Sequence, residues 1–253
     1  MRVLICNDDG IYAPGLAALV EEVKKIADVT VVAPEFEQSA KGHAITISDP
    51  LRAKEYFKDL EFFGWAVSGT PADCVKIAIS ALMDRRPDLV ISGINEGSNT
   101  GINIIYSGTV SAATEGRING IPSFAVSLTS YTYKDFGPSA RFAARLAEKY
   151  LSIDLPPGIF FNVNVPAMPE EQIKGVKMTR QGRAIYEEIF HRRFDPKGRA
   201  YFWMDGERVA EEDDPNIDEQ AIRAGYISIT PIHYDLTHYP TLEQLGLKIG
   251  KLL

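Results

Sequence analysis

The amino-acid sequence predicts an α/β fold built on a parallel sheet, and three observations predict it. A short, continuous apolar run at residues 3–6, and largely apolar runs at 29–33, 89–91 and 124–126, suit buried strands. Segments with helical spacing of apolar residues lie between them. Such alternation implies parallel strands joined by right-handed crossovers, with helices covering the sheet.

The elements follow in order. Val3, Leu4, Ile5 and Cys6 form the first strand, ended by Asn7-Asp8-Asp9-Gly10. Pro14 stands where a first-turn proline belongs, ahead of Leu16, Leu19, Val20, Val23 and Ile26 at helical spacing. Residues 29–33 make a second strand, stopped by Pro34. Residues 44–48, 51–55 and 65–68 are predicted as short strands forming a hairpin or sheet edge, with Ile45 and Ile47 alternating with Thr46 and Ser48. Thr70-Pro71-Ala72-Asp73 reads as an N-cap, a first-position proline and a first-turn acid, opening a helix through Val75, Ile79 and Leu82. Strands at 89–91, 124–126 and 159–165 follow, the last ended by Pro166. Residues 185–192 and 199–204 flank Asp195-Pro196-Lys197-Gly198, a turn signal, and predict a long hairpin rich in aromatic and charged residues. Residues 211–218 read as a solvated acidic loop that includes Asp213, Asp214 and Asp218. Residues 226–230 read as a late strand stopped by Pro231, and the tail as weakly helical. With no repeat or low-complexity linker, the chain reads as a single domain over 1–253. It comprises a core over 1–175 and a hairpin arm and C-terminal oligomerisation region over 176–253.

Composition narrows the function. The 253 residues are 45% hydrophobic and 24% charged, as in globular proteins. The net charge of −7, from 27 basic and 34 acidic residues, argues against wrapping of nucleic acid polymers, which takes a basic footprint. Small anions stay open, because a metal ion or a helix N-terminus overrides the global field locally. Only four apolar residues precede Asn7, fewer than the roughly 7–15 of a secretory leader, and no run reaches the ~18 of a membrane span. The expectation is a cytoplasmic protein without membrane partners, with Cys6 and Cys74 buried and reduced.

In open α/β sheets, ligands bind beyond the carboxyl ends of the strands. Asp8 and Asp9 follow the first strand, Ser39 lies in the loop after the second, and Asn95 follows the strand at 89–91. Adjacent carboxylates repel unless a cation or water separates them. Two acids plus neutral oxygen donors suit Mg²⁺, Mn²⁺ or Ca²⁺ and disfavour zinc. The scattered histidines His43, His191, His233 and His238 also give no zinc-binding pair. Glycines 93, 97 and 101, with Asn95, Asn99 and Asn103 between them, indicate a backbone approaching a ligand. Tyr106-Ser107-Gly108-Thr109-Val110 opens a helix with small and hydroxyl residues, a place for phosphate. Dinucleotide-binding, P-loop and serine-hydrolase signatures are absent.

Together these segments resemble the survival protein E (SurE) family of metal-dependent nucleotidases. The matching stretches are Asn7-Asp8-Asp9-Gly10, Ala33-Pro34 through Ser39, Gly42-His43, Gly69-Thr70-Pro71-Ala72-Asp73-Cys74-Val75, Ser92-Gly93-Ile94-Asn95-Glu96-Gly97-Ser98-Asn99 and Tyr106-Ser107-Gly108-Thr109-Val110. Later ones are Phe161-Asn162-Val163-Asn164-Val165-Pro166, Thr179-Arg180-Gln181 and residues 225–231. The resemblance implies a Rossmann-like core with an extended hairpin and a swapped C-terminal element, used in homodimers or homotetramers. It implies hydrolysis of nucleoside 5′- and 3′-monophosphates with one Mg²⁺ or Mn²⁺ per subunit. Asp8, Asp9, Ser39 and Asn95 fall on the family's metal ligands, and Ser107, Gly108 and Thr109 on its phosphate-contacting helix start.

The expected activity is therefore that of a phosphomonoesterase of the 5′-nucleotidase type. Asp8 and Asp9 are its catalytic residues and metal ligands, and Asn99, Ser107, Gly108 and Thr109 bind substrate. Hydrolysis of short polyphosphate or sugar phosphates at the same site, and a non-catalytic nucleotide-binding module, are the alternatives. No general acid is identifiable, His43 being the nearest candidate in sequence. Tyr186, Ile189, Phe190, Phe194, Tyr201, Phe202 and Trp203 on the hairpin predict docking onto another subunit.

Overall fold

Strand β1 (Arg2–Cys6) lies inside a nine-stranded sheet because both of its faces are apolar. Val3 and Ile5 enter one hydrophobic cluster and Leu4 and Cys6 the other, all fully buried, as side chains alternate along a strand. The computed structural model describes residues 1–183, 185–210 and 212–249, with the side chains at 185–186, 207–210 and 246–249 outside the description. After β1 come α1 (Pro14–Val23), β2 (Asp28–Pro34), β3 (Ala53–Lys58), β4 (Glu61–Val67), α2 (Pro71–Ile77), β5 (Leu89–Glu96), α3 (Gly108–Ile118), β6 (Ser123–Leu128), α4 (Gly137–Tyr150) and β7 (Ile159–Val165). The remainder holds β8 (Val176–Met178), β9 (Ile185–Phe194), β10 (Ala200–Ala210), α5 (Asp218–Arg223), β11 (Ile227–His233) and α6 (Tyr239–Ile249).

The strand order is β3-β4-β2-β1-β5-β6-β7-β11-β8. The six strands from β4 to β7 are parallel, while β3 and β11 pair antiparallel with β4 and β7. Helices α1 and α4 cover one face, where Leu16, Leu19 and Val20 share a cluster with Ala140, Ala143 and Ala147. Helices α2 and α3 cover the other, through Cys74, Val75 and Ala112. Thr70 caps α2: its hydroxyl oxygen accepts from the Asp73 N–H at 3.1 Å, and the Asp73 carboxylate accepts from the Thr70 N–H at 2.9 Å. Strands β2 and β5 flank β1 on opposite sides, so the strand order reverses there and opens a crevice at the carboxyl ends. Cys6 and Cys74 are both buried and free. Among the described residues, no helix is long and apolar enough to cross a membrane.

Several expectations are corrected. Residues 44–48 form no strand; Ile45 and Ile47 are exposed, and the Thr46 N–H and hydroxyl donate to Asp73 instead. The β3–β4 hairpin is shifted from the predicted positions and turns at Asp59 and Leu60, both in the left-handed region. Strand β5 runs on to Glu96, so Asn95 lies within it, and β11 continues through Pro231 to His233. Asp218 is not solvated: fully buried, it accepts from the N–H groups of Gly101 at 2.9 Å and Gly182 at 3.1 Å. Asp214 pairs with Arg180 at 2.7 Å. Helix α4 lies in a stretch for which the sequence reading gave no element, and its buried face consists largely of alanines.

Candidate functional site

Asn7 is fully buried at the end of β1 and shapes the turn that follows. Its Oδ1 accepts from the Gly10 N–H at 3.2 Å and its Nδ2 donates to the Gly10 carbonyl at 3.0 Å. Asp8 and Asp9 project from this turn into the crevice. Asp8, 4% exposed, accepts from the Thr109 hydroxyl and from the N–H groups of Gly108 and Thr109 at the start of α3. Residue 108 has to be glycine for this approach, since a Cβ there would lie 2.7 Å from the Asp8 Cβ and 2.9 Å from Oδ2. Ser107 caps the same helix, its Oγ accepting from the Val110 N–H at 3.0 Å.

Asp9 Oδ2 accepts from the Glu96 N–H at 3.1 Å. Burial pushes the Asp9 carboxyl up to about 7, and the charges of Asp8, Glu96 and Glu37 add to the rise. Burial also raises the Asp8 carboxyl, against the opposing hydrogen bonds from Thr109. Among the described residues, no ion pair reaches either acid, although both face a crowd of negative charge.

The two acids open into a cavity of about 780 Å³. Its wall includes Asp8, Asp9, Ser39, Asn95, Asn99 and Ser107, so the crevice brings together most of the residues singled out from the sequence. Ser39 is exposed and donates to Glu37 Oε1 at 2.6 Å. Asn95 spends its amide on the carbonyls of Gly97 at 2.7 Å and Glu96 at 3.2 Å, leaving Oδ1 as a free acceptor. Thr109 is turned to Asp8 and Gly108 lies against it, so of the helix-start trio Ser107 is the one on the wall. His43 is off the wall: its Nε2 meets Glu115 Oε2 at 2.9 Å, and Lys76 reaches the other Glu115 oxygen at 2.8 Å. Burial works to raise the Glu115 carboxyl, but hydrogen bonds from His43 and Lys76 hold it below its ordinary value.

Sequence reasoning missed Glu37, Glu96, Tyr106, Tyr131, Glu188 and Met204 on the same wall. Glu37, Glu96 and Tyr106 lie inside stretches already singled out, and adjacency to Ser39, Asn95 and Ser107 was the available signal. Tyr131 had none; its ring packs over Gly97, where a Cβ would stand 2.4 Å from its Cζ. Glu188 and Met204 come from the β9–β10 hairpin and reach the cavity only through the tertiary fold.

This donor set fits a hard divalent cation. Two carboxylates with no basic partner, plus the Asn95 and Ser39 oxygens, offer oxygen ligands alone.

A family model described as "Survival protein SurE" matches residues 3–188. A protein named 5'-nucleotidase SurE from Syntrophobacter fumaroxidans is 52% identical over 246 residues, covering 97% of this chain and 98% of its own length. One of the same name from Syntrophus aciditrophicus is 51% identical over 252 residues, covering 99% and 95%. The crystal structure of Sure Protein from Aquifex aeolicus superposes with a TM-score of 0.84 at 40% identity, covering 98% of this chain and all of that one.

The raised carboxyls give a pH prediction. Asp8 and Asp9 bind protons more tightly in the folded chain than unfolded, where an aspartate titrates near 4. The Asp9 contribution to stability is therefore full below about pH 4 and is lost as pH rises through about 7, and the raised Asp8 carboxyl acts in the same direction. Without divalent cations, the melting temperature is expected to fall across this window, and Asp9→Asn is expected to flatten the fall. Differential scanning calorimetry of both proteins checks this; identical profiles would contradict it.

Proposed function

Because the chain belongs to the survival protein SurE family, we propose that it is a metal-dependent 5′-nucleotidase, hydrolysing nucleoside monophosphates to nucleoside and phosphate. The observation that carries this reading is the pair Asp8, buried, and Asp9, half-buried: adjacent, without a basic partner among the described residues, and facing a cavity of nucleotide size. Relatives about half identical over nearly their whole length, named for the same activity, support it.

Asp8 and Asp9, with Ser39 and Asn95, would hold one Mg²⁺ or Mn²⁺ per subunit. When bound, such an ion supplies Lewis-acid polarisation of the phosphoryl group and acidifies water. The chain's own residues do the rest. Thr109 and the N–H groups at the start of α3 fix the Asp8 carboxylate, so its orientation costs no rearrangement during reaction. Ser107 and Asn99, on the same wall, bind the phosphoryl oxygens at the positive end of the helix. Tyr106 and Tyr131 add aromatic surface, which suits a nucleoside better than bare polyphosphate or a sugar phosphate. His43, committed to Glu115, is not placed to protonate the leaving group.

Residues 176–253 serve assembly in this reading, and the protein works in the cytoplasm without nucleic-acid or membrane partners. Phe190, Phe194, Phe202, Trp203 and Met204 on the hairpin are each more than half exposed, while the side chain of Tyr186 lies outside the described residues. An isolated hairpin with that much apolar surface calls for a second subunit, and two-fold symmetry is its commonest form.

Three outcomes are expected. EDTA should abolish phosphate release from AMP, Mg²⁺ or Mn²⁺ should restore it, and Asp8→Asn should lower it by about 100-fold. Release from AMP and GMP should exceed that from a sugar phosphate or short polyphosphate, and full activity after removal of metal would sink the reading. Light scattering at micromolar concentration should give a dimer or tetramer; a monodisperse monomer at the chain mass of 28.0 kDa would rule out the assembly role.

A further inference from the structure

Asn162 and Asn164 are fully buried in β7, two residues apart and so on one face of the sheet. A buried carboxamide is costly unless hydrogen-bonded, and apolar residues would fill the same space without that demand. Both amides serve one residue outside their strand. Asn164 Oδ1 accepts from the Asn99 N–H at 2.9 Å, and Asn164 Nδ2 donates to the Asn99 carbonyl at 3.0 Å. Asn162 Nδ2 donates to that same carbonyl at 2.7 Å. Asn164 thus grips both backbone groups of Asn99, as a neighbouring strand would. Asn99 in turn sends its Nδ2 to Ser127 Oγ in β6 at 3.0 Å.

Residues 98–100 belong to no helix or strand, yet Asn99 is 8% exposed and lines the cavity. Among the described residues Asn162 Oδ1 is buried without a partner, so the carboxamide is kept at a cost, and the side-chain bond it makes there goes to Asn99.

We propose that Asn164, assisted by Asn162, is a positioning residue that aims Asn99 at the phosphoryl end of the substrate, an inference that rests on the nucleotidase reading of the cavity. It acts through Asn99, and its effect vanishes when the Asn99 side chain is gone.

A double-mutant cycle over Asn99→Ala and Asn164→Leu tests this, with Mn²⁺ present throughout. KM and kcat for AMP, the Kd of inorganic phosphate by calorimetry, and the Kd of Mn²⁺ are all measured. Asn164→Leu is expected to raise the AMP KM and the phosphate Kd about tenfold, as loss of a hydrogen-bonded anchor would, with Mn²⁺ affinity unchanged. In the Asn99→Ala background it should add almost nothing. Multiplying effects, or a folded Asn164→Leu protein with the original KM and phosphate Kd, would overturn the proposal. Should Asn164→Leu fail to fold, Asn162→Leu, which loses one of the three bonds, carries the same cycle with a smaller expected change. A parent protein that releases no phosphate from AMP but binds inorganic phosphate would defeat the nucleotidase reading alone, and the cycle is then decided on the phosphate Kd. A parent that binds no phosphate defeats both.

Discussion

The carboxylate of Asp8 is seated against the start of α3, and the rest of the site is arranged around that contact. A buried carboxylate is costly, and here the positive end of a helix, two backbone N–H groups and the Thr109 hydroxyl offset the burial. The contact joins the end of the central strand to the helix that covers it, so the fold and the site share one constraint. It requires that residue 108 carry no side chain, that Asn7 close the turn, and that the switch point fall at β1.

Asp9 has no such support. It receives a single N–H, from Glu96, while Asp8, Glu96 and Glu37 press negative charge on it. The asymmetry suits a cation site: one carboxylate is rigidly placed, and the other is unstable until a positive charge arrives. Around the two acids the loops are tied down by distant partners. The Gly42 N–H donates to the Tyr106 carbonyl at 2.9 Å, which fastens the Ser39 loop to the turn before α3. His43 and Thr46 fasten it further, to Glu115 and Asp73. Flexible-looking sequence is thereby held in place by polar side chains of the scaffold.

Much of this was legible in the sequence. Apolar runs marked the inner parallel strands, and Thr70 with Asp73 marked a helix start, because local chemistry decides both. Asp8, Asp9, Ser39, Asn95 and Asn99 stood out because strand-end loops rich in oxygen donors have a restricted meaning. What could not be read depends on tertiary contact. Residues 44–48 alternate like a strand, yet Thr46 finds a better partner in Asp73. Asp218 resembles its solvated neighbours until the fold brings Gly101 and Gly182 to it. Glu188 and Met204 reach the cavity from a hairpin far along the chain from the loops that form the rest of its wall.

In the proposed nucleotidase, the approach of α3 to Asp8 through Gly108 would place the carboxylate that holds the cation. Calorimetric titration of Mn²⁺ into the parent protein and Gly108→Ala tests it most directly. One site per chain is expected in the parent, and an affinity lower by about tenfold or more in a Gly108→Ala protein that remains folded. Equal affinities in the two proteins would contradict it.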